Sequence, residues 1–217
     1  MDSTFTFNED EHRYYLKNVE IPGVTKTLEE VGISDFSFVD FDILEKAKRF
    51  GSALHRATEL LDKGTLNESS VDNALIPYLQ GYKMFCEDYG FVPEMVEFQS
   101  YSAKYRYGFT LDRIGSFSKQ KHSYYSKFEG KRALIDIKSG AFMPSYALQT
   151  AAYLNGYNEH FPRLEKVRLR ICVRLCPGHY KIDVHKDKSD FSTWLACLQV
   201  YNFMLANKIK KHGGSDD

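Results

Sequence analysis

The sequence predicts an α/β protein in which a central mixed β-sheet is flanked by helices and preceded by an N-terminal hairpin and a helical arm. Three observations predict this class. Apolar residues recur at helical spacing through most of the first 90 residues. Three strand-like segments follow, and a helical segment separates them from two more strands and a closing helix. The 43% hydrophobic content and 15% aromatic content fit a folded globular chain.

The first ninety residues predict the hairpin and the arm. FTFNEDEHRYYL predicts two short strands around a polar turn. VTKTLEEVG and FDILEKAKRFGSALHRATELLDKG predict a short and a long helix, each ended by a glycine. A further helix is predicted over about Val71–Tyr89.

The remaining residues predict the sheet. The first three strands are VPEMVEFQSYS, YGFTLDRIGSFS and KRALIDIKSG, with the polar SKQKHSYYSKFEG as a hairpin loop before the third. A helix over PSYALQTAAYLNGYNEHF follows, and then two strands, KVRLRICVRL and YKIDVH, around Pro177-Gly178. The closing helix is SDFSTWLACLQVYNFMLANKIKK, with Ser189 or Asp190 as its N-cap.

These segments predict one integrated domain. Residues 1–90 would form the hairpin and the helical arm, residues 91–210 the core, and residues 211–217 a disordered tail. No stretch approaches the roughly 18 apolar residues of a membrane helix, and the acidic N-terminus does not resemble a secretory signal. We therefore expect a cytoplasmic protein.

Four cysteines are present, and none forms a CxxC pair. In a cytoplasmic chain of this length a disulfide framework is not expected. A zinc or iron–sulfur site would favour closer pairs. We expect buried, non-ligating cysteines and no iron–sulfur cluster.

Charge is unevenly distributed although the net charge is zero. Residues 1–100 hold 9 Lys+Arg and 19 Asp+Glu, whereas residues 101–217 hold 20 and 10. The basic half is able to present a phosphate-binding face. Alternatively, the two halves interleave in the fold and their charges average out.

The segment IDIKSG places two charged residues on one face of a strand. Alternate side chains share a face, so Asp136 and Lys138 point the same way, while Ile135 and Ile137 face the core. A simple surface salt bridge is one interpretation of the pair.

Asp112 lies in the apolar strand segment YGFTLDRIGSF, where an acid is costly unless it is paired or binds metal. Asp112 lies 24 residues before Asp136, a separation that suffices for two adjacent antiparallel strands. Their carboxylates would then converge on a hard cation such as Mg²⁺. Such a cation activates water for phosphodiester hydrolysis, with Lys138 orienting or deprotonating the water or stabilising the developing charge.

Two helical pairs add to this set. Gln149 and Tyr153 are four residues apart on the helix that follows IDIKSG, and His55 and Glu59 are four apart on the long helix. The ordinary interpretations are a solvated face for Gln149, core packing for Tyr153 and a structural histidine for His55.

Taken together, GSALH, Glu97, GFTLD, IDIKSG and QTAAY resemble the RecB-type branch of the PD-(D/E)XK nucleases. That branch includes phage exonucleases and mitochondrial genome-maintenance exonucleases. The resemblance covers roughly residues 5–157 and includes Gly51 and, with one extra residue before Asp112, Gly108. It implies a restriction-endonuclease-like core.

The resemblance also implies residue roles. His55, Asp112 and Asp136 would be ligands of Mg²⁺ or Mn²⁺, as one or two ions, with the Ile137 carbonyl as a further ligand. Catalysis would rest on Asp112, Asp136, Lys138 and Glu97, the last supporting the metal or its waters. Gln149 and Tyr153 would contact the DNA backbone or order the site.

The resemblance has departures. Leu111 precedes Asp112 where the superfamily's name has proline, and Cys172 and Cys176 do not match the cluster spacing of iron–sulfur members. No helicase motif is present, so unwinding would come from a helicase partner, and a single-strand annealing protein is the other partner expected.

The expected function is that of a DNA exonuclease in phage or prophage recombination, replication or repair. It would act on linear or single-stranded DNA with free ends, threaded beneath the acidic arm and stacked on aromatic residues such as Tyr105 or Tyr107. Alternatives are a structure-selective or restriction-type endonuclease and a non-catalytic module that binds DNA or another protein. RNA is a further candidate substrate, but no RNA-binding motif is recognised.

Overall fold

The computed structural model describes residues 4–120, 123–162 and 166–209. In this part of the chain a five-stranded mixed sheet and a three-stranded antiparallel sheet are flanked by helices, as the coarse fold class predicted. The strands are β1 (Phe5–Asn8), β2 (Arg13–Leu16), β3 (Val19–Ile21), β4 (Phe91–Ser102), β5 (Tyr107–Phe117), β6 (Arg132–Lys138), β7 (Leu169–Cys176) and β8 (His179–His185). The helices are α1 (Val24–Glu30), α2 (Phe41–Asp62), α3 (Ile76–Tyr89), α4 (Ser145–His160) and α5 (Asp190–Ala206).

The larger sheet has the strand order β4-β5-β6-β7-β8. Strands β6 and β7 are parallel because α4 returns the chain between them, and the other three neighbouring pairs are antiparallel. The sheet is therefore mixed because a single helical crossover makes one pair of strands parallel in a sheet that is otherwise antiparallel.

Each face of this sheet has its own apolar core. On one face α1, α4 and α5 pack around Phe109, Tyr157 and Trp194, which are fully buried. On the other face α3 and part of α2 cover the alternate side chains, among them Ile135 and Ile137. The alternation predicted for β6 is therefore confirmed, with both isoleucines turned away from Asp136.

The small sheet packs against β5 through Tyr14 and Gly108. A Cβ atom on Gly108 would lie 2.2 Å from the Tyr14 ring, so a larger residue would separate the two sheets. The Gly108 N–H donates to the Pro22 carbonyl at 2.8 Å. The predicted hairpin is confirmed, but β3 was missed because its three residues are too few to show a period.

Several predicted boundaries are wrong. Helix α3 begins at Ile76 rather than at Val71, with Pro77 in its first turn. The loop between β5 and β6 contains a short 3-10 helix, Ser123–Phe128, and Phe128 is buried. Its aromatic residues pack against α3, which a polar composition did not indicate.

The closing helix is also shorter than predicted. It ends at Ala206, and Ser189 is its N-cap without a side-chain capping bond, because the Ser189 hydroxyl donates to Asp187 instead. The predicted tail, 211–217, lies outside the described residues.

Two properties bear on the expected setting of the protein. None of the helices in the described ranges has both the length and the apolar character needed to cross a membrane. All four cysteines are free thiols, of which Cys172 and Cys197 are buried.

Candidate metal centre

A row of carboxylates crosses three neighbouring strands at one level of the sheet. The flanking pairs Val96–Arg113 and Phe98–Leu111 bracket Glu97 of β4 and Asp112 of β5, which therefore lie side by side. Asp112 in turn faces Asp136 of β6, one step beyond the last registered β5–β6 pair. Adjacent strands lie about 4.8 Å apart, and like charges directly opposite one another are destabilising. A cation would relieve this repulsion.

His55 approaches two carboxylates of this row, Glu97 and Asp112. One ligand atom from each of His55, Glu97 and Asp112 lies within 4.8 Å of the other two. His55 Nδ1 is 3.5 Å from Asp112 Oδ2. An imidazole with two carboxylates is a donor set that suits Mn²⁺ or Mg²⁺. The residues therefore fit a divalent cation, and the predicted pairing of His55 with Asp112 corresponds to a real juxtaposition.

The structure does not gather the ligand set as predicted. Glu97 joins His55 and Asp112, whereas Asp136 stands outside this trio in the same cavity. Asp136 Oδ2 lies 2.8 Å from Lys138 Nζ, and the Cys172 thiol donates to the same oxygen at 3.5 Å. Burial raises the pKa of Asp136, against the opposing effect of the Lys138 ammonium.

Asp112 is fixed by the neighbouring strand. The backbone N–H of Ile137 donates to Asp112 Oδ2 at 2.6 Å, so the carboxylate takes the place of a main-chain acceptor where the β5–β6 pairing ends. A charged acceptor makes such a bond stronger than an ordinary backbone bond. The Ile137 carbonyl as a metal ligand stays a prediction.

Glu97 is held in an uncommon backbone conformation. Its φ of 50° lies in the left-handed region, which is rare for residues other than glycine. Burial and the nearby Asp112 carboxylate raise the pKa of Glu97 to about 8, although Arg113 opposes them. A strained, partly buried acid beside a second acid is an arrangement that often marks functional sites.

Arg113 joins helix α2 to the candidate metal centre. Its guanidinium is fully buried and contacts Asp62 and Glu97, at 2.5 and 2.8 Å. It also donates to the Thr58 hydroxyl at 3.1 Å. Thr58 and Asp62 lie about one and two turns after His55 on α2. This network therefore sets where His55 lies relative to Glu97.

Lys138 is held by a chain of polar contacts from α4. Its ammonium donates to Gln149 Oε1 at 3.0 Å, and the Gln149 amide donates to the Tyr153 hydroxyl at 2.8 Å and to Thr25. Burial opposes the charged form of Lys138, but Asp136 and Asp112 outweigh it and raise the pKa of Lys138. Gln149 thus holds the Lys138 ammonium, and Tyr153 holds Gln149; the roles predicted for both, contact with the DNA backbone or ordering of the site, stay predictions.

All seven predicted side chains line one cavity of about 550 Å³. The N-terminal hairpin contributes Phe7, Glu9 and His12 to its wall, and α1 contributes Thr25. Neither contribution was predicted, since no local pattern shows that a hairpin will pack beside a distant strand. The burial of Arg113 could have been predicted, because Asp112 and Arg113 are successive charged residues in an apolar strand, where adjacent side chains point to opposite faces.

Of the two predicted stacking aromatics, Tyr107 is wrong as a surface group, whereas Tyr105 is partly exposed and its role stays a prediction. Tyr107 is fully buried, and its hydroxyl donates to the Ala152 carbonyl at 2.8 Å. The half-buried Tyr105 ring packs edge-on against Phe191, with centroids 5.5 Å apart. Tyr105 lies in the turn before β5 and Tyr107 begins the strand, so the apolar core lies close to both.

Comparison with known proteins adds little to this description. No protein-family model matches the chain, and no curated protein does. The solved structure described as the crystal structure of SSO0001 matches 83% of this chain and 74% of that chain. Sequence identity is 13% and the TM-score is 0.38, values too low to define a family or an activity.

Binding of Mn²⁺ is expected to raise the melting temperature of the metal-free protein. The cation would relieve the repulsion between Glu97 and Asp112, and a ligand that binds only the folded state stabilises it. At a hundredfold excess over the dissociation constant the shift should be about 5–10 °C. Differential scanning fluorimetry with and without Mn²⁺ measures it.

His55→Ala should remove most of that shift, while His179→Ala, at an exposed histidine that begins β8, should keep it. An equal Mn²⁺ shift in the wild type and in His55→Ala would exclude the imidazole as a ligand.

Proposed function

We propose that this protein is a divalent-metal-dependent deoxyribonuclease with a restriction-endonuclease-like core, of the RecB-type exonuclease branch. The observation that carries the proposal is the row Glu97–Asp112–Asp136 with Lys138 beside it and His55 above it, all in one cavity. Concentrated carboxylates repel DNA unless a cation bridges them to phosphate, so a metal and an anionic substrate are expected together.

His55, Glu97 and Asp112 would hold the cation. When bound, a divalent cation supplies charge neutralisation at a phosphate oxygen and a more acidic water. These carboxylates are held in place by the protein itself, since Arg113 contacts Glu97 and the Ile137 N–H donates to Asp112.

Lys138 is placed as a hydrogen-bond donor. Its ammonium lies between the acceptors Asp136 Oδ2 and Gln149 Oε1 and is therefore held in the charged form. Of the roles predicted for it, orienting a water molecule and stabilising negative charge on phosphate suit this geometry, and removing a proton does not. Asp136 then serves to hold the ammonium beside the metal centre.

The surroundings of the cavity favour action at DNA ends. Helix α2 forms one wall with Gly51, Ser52 and His55, and the N-terminal hairpin forms another with Phe7 and His12. Walls on two sides admit a strand end more readily than the middle of a duplex. This supports an exonuclease over the alternative, a structure-selective endonuclease of the same fold.

Linear single-stranded DNA should be degraded at least about tenfold faster than the same sequence in covalently closed circular form. The comparison uses equal Mg²⁺ and gel analysis of both substrates over time. Equal rates would show endonucleolytic cutting and remove the end requirement. If neither DNA is cleaved but both bind, the non-catalytic module becomes the better account.

We also propose the setting that such an activity implies. The protein would work in the cytoplasm, of a host cell if it is phage-encoded, in DNA recombination, replication or repair. A helicase or a single-strand annealing protein would supply or take up the single strand.

A further inference from the structure

A second cavity, of about 450 Å³, lies on the opposite flank of helix α4 from the metal centre. Gln149 and Tyr153 line the catalytic cavity, whereas Ala151 and Asn155 line the second one. Positions two apart on a helix differ by about 200°. One helix therefore separates two cavities on the same face of the sheet.

The rim of this second cavity is positively charged. Arg168, Lys186 and Lys188 line it, and all three are exposed. None of them forms an ion pair within the described part of the chain. They belong to the turns that precede β7 and follow β8, so the pairing of these two strands brings the three cations to one end of the sheet.

The acids nearby are already engaged. Asp190 receives a hydrogen bond from Arg170 at 2.7 Å, and the Asp187 carboxylate accepts from the backbone and hydroxyl of Ser189. Arg170 balances the charge of Asp190, whereas Asp187 keeps its negative charge. The three cations of the rim therefore still exceed the one acid beside them that has no cationic partner in the described residues, and the rim favours an anion. The floor of the cavity is apolar, formed by Leu154, Val167, Leu169 and Phe191.

Aromatic side chains connect the two cavities. Lys138 Nζ lies 4.5 Å from the Tyr146 ring centroid, and the Tyr146 ring contacts Phe142 at 5.8 Å. Phe142 contacts His185, also at 5.8 Å, and His185 lines the second cavity. Phe142 is 42% exposed and lies in the turn before α4. This path begins at a catalytic group and ends at the cationic rim.

We propose that the second cavity binds the sugar–phosphate backbone of a single DNA strand that runs from the catalytic cavity over Phe142. This inference rests on the proposed nuclease function and names a part of its substrate that lies outside the metal centre. The cationic rim would contact phosphates, and a base would rest on the apolar floor. Lys138 pairs with Arg174 of β7, six residues from Arg168, so about 20 Å along the strand separate Lys138 from the cationic rim.

A single strand fits this path better than a duplex. The path turns around the N-terminal end of α4, and duplex DNA is stiff over about 150 base pairs. A flexible strand stacks on exposed aromatic groups without regard to sequence. Phe142 is such a group, whereas a duplex hides the faces of its bases.

The test is a binding measurement on a protein that cannot cleave. Asp136→Asn is the parent, in Ca²⁺, with a fluorescein-labelled oligothymidylate of about 15 nucleotides read by anisotropy. Arg168, Lys186 and Lys188 are all changed to Ala in that parent. We expect affinity to fall at least about tenfold and the slope of log K against log salt to decrease by about 2, for three lost phosphate contacts.

A matched control removes the same charge elsewhere. Lys119, Lys127 and Lys131 are exposed lysines in the segment between β5 and β6, which packs against α3 on the other face of the sheet. Their triple change to Ala should alter affinity less than about twofold, since these lysines lie off the proposed path. Equal losses in the two triple variants would overturn the site, as would a parent that binds no oligonucleotide.

Two further measurements test whether the cavity is specific for a single strand. Phe142→Ala should weaken single-strand binding about fivefold, by loss of one stacked base, and should leave duplex binding unchanged. An equal loss of duplex affinity in the Arg168/Lys186/Lys188 variant would show a general polyanion surface and overturn the strand site. Cleavage by the wild type in Mn²⁺ is scored separately, so a failed nuclease activity is distinguishable from a failed binding site.

Discussion

Asp136→Asn should reduce the rate of DNA cleavage by about a thousandfold or more. The substitution keeps the size of the side chain and removes the charge that holds Lys138 Nζ at 2.8 Å. It also removes one carboxylate from the acidic row, so DNA binding in Ca²⁺ should be unchanged or tighter. Single-turnover assays with saturating enzyme measure the chemical step apart from binding.

Asp183→Asn is the matched control. Asp183 stands on β8 in the same cross-strand row, two strands from Asp136, and its carboxylate is about half exposed beside His185. Its loss should leave cleavage within about twofold, because surface ion pairs contribute little. If Asp136→Asn cleaves DNA at the wild-type rate and folds normally, the site assignment is wrong.

Lys138→Met should lower the cleavage rate by about a thousandfold or more, as Asp136→Asn does, while keeping Mn²⁺ binding. Methionine matches the apolar stem of lysine but donates no hydrogen bond, so Gln149 Oε1 and Asp136 Oδ2 both lose the ammonium as a partner. A loss confined to the rate at saturating DNA would indicate a role in stabilising the reacting phosphate.

Lys181→Met controls for the loss of a positive charge. Lys181 is an exposed residue of β8 and makes no ion pair within the described ranges. We expect near wild-type rates from it. If a folded Lys138→Met protein cleaves at the wild-type rate, Lys138 has no role in cleavage and only pairs with the buried Asp136 carboxylate.

The sequence predicted the site best where one strand or one helix decides the geometry. Alternation in β6 put Asp136 and Lys138 on one face, and helical spacing put Gln149 beside Tyr153. The separation of Asp112 from Asp136 correctly implied neighbouring antiparallel strands. These relations depend on local periodicity and need no knowledge of the tertiary packing.

Long-range packing decided the rest. Arg113 reaches Asp62, 51 residues away, and thereby fixes α2 and His55. Glu97 adopts a positive φ that no local pattern announced, and it lies with His55 and Asp112 where Asp136 was expected. Tyr107 was expected at the surface, but the fold closes α4 and α5 over it. In each case the partner comes from a distant segment, which spacing along the chain does not reveal.

The central claim is that cleavage of DNA requires a divalent cation bound at this site. Cleavage of end-labelled linear DNA, with the metal removed and then replaced, tests it most directly. Wild-type protein is freed of metal and incubated with the DNA in EDTA, Ca²⁺, Mg²⁺ or Mn²⁺, with His55→Ala and Asp112→Asn in parallel. We predict digestion from the ends with Mg²⁺ or Mn²⁺, binding without cleavage in Ca²⁺, no cleavage in EDTA, and none by Asp112→Asn. Digestion that persists in EDTA, or that Asp112→Asn retains in full, would contradict the account.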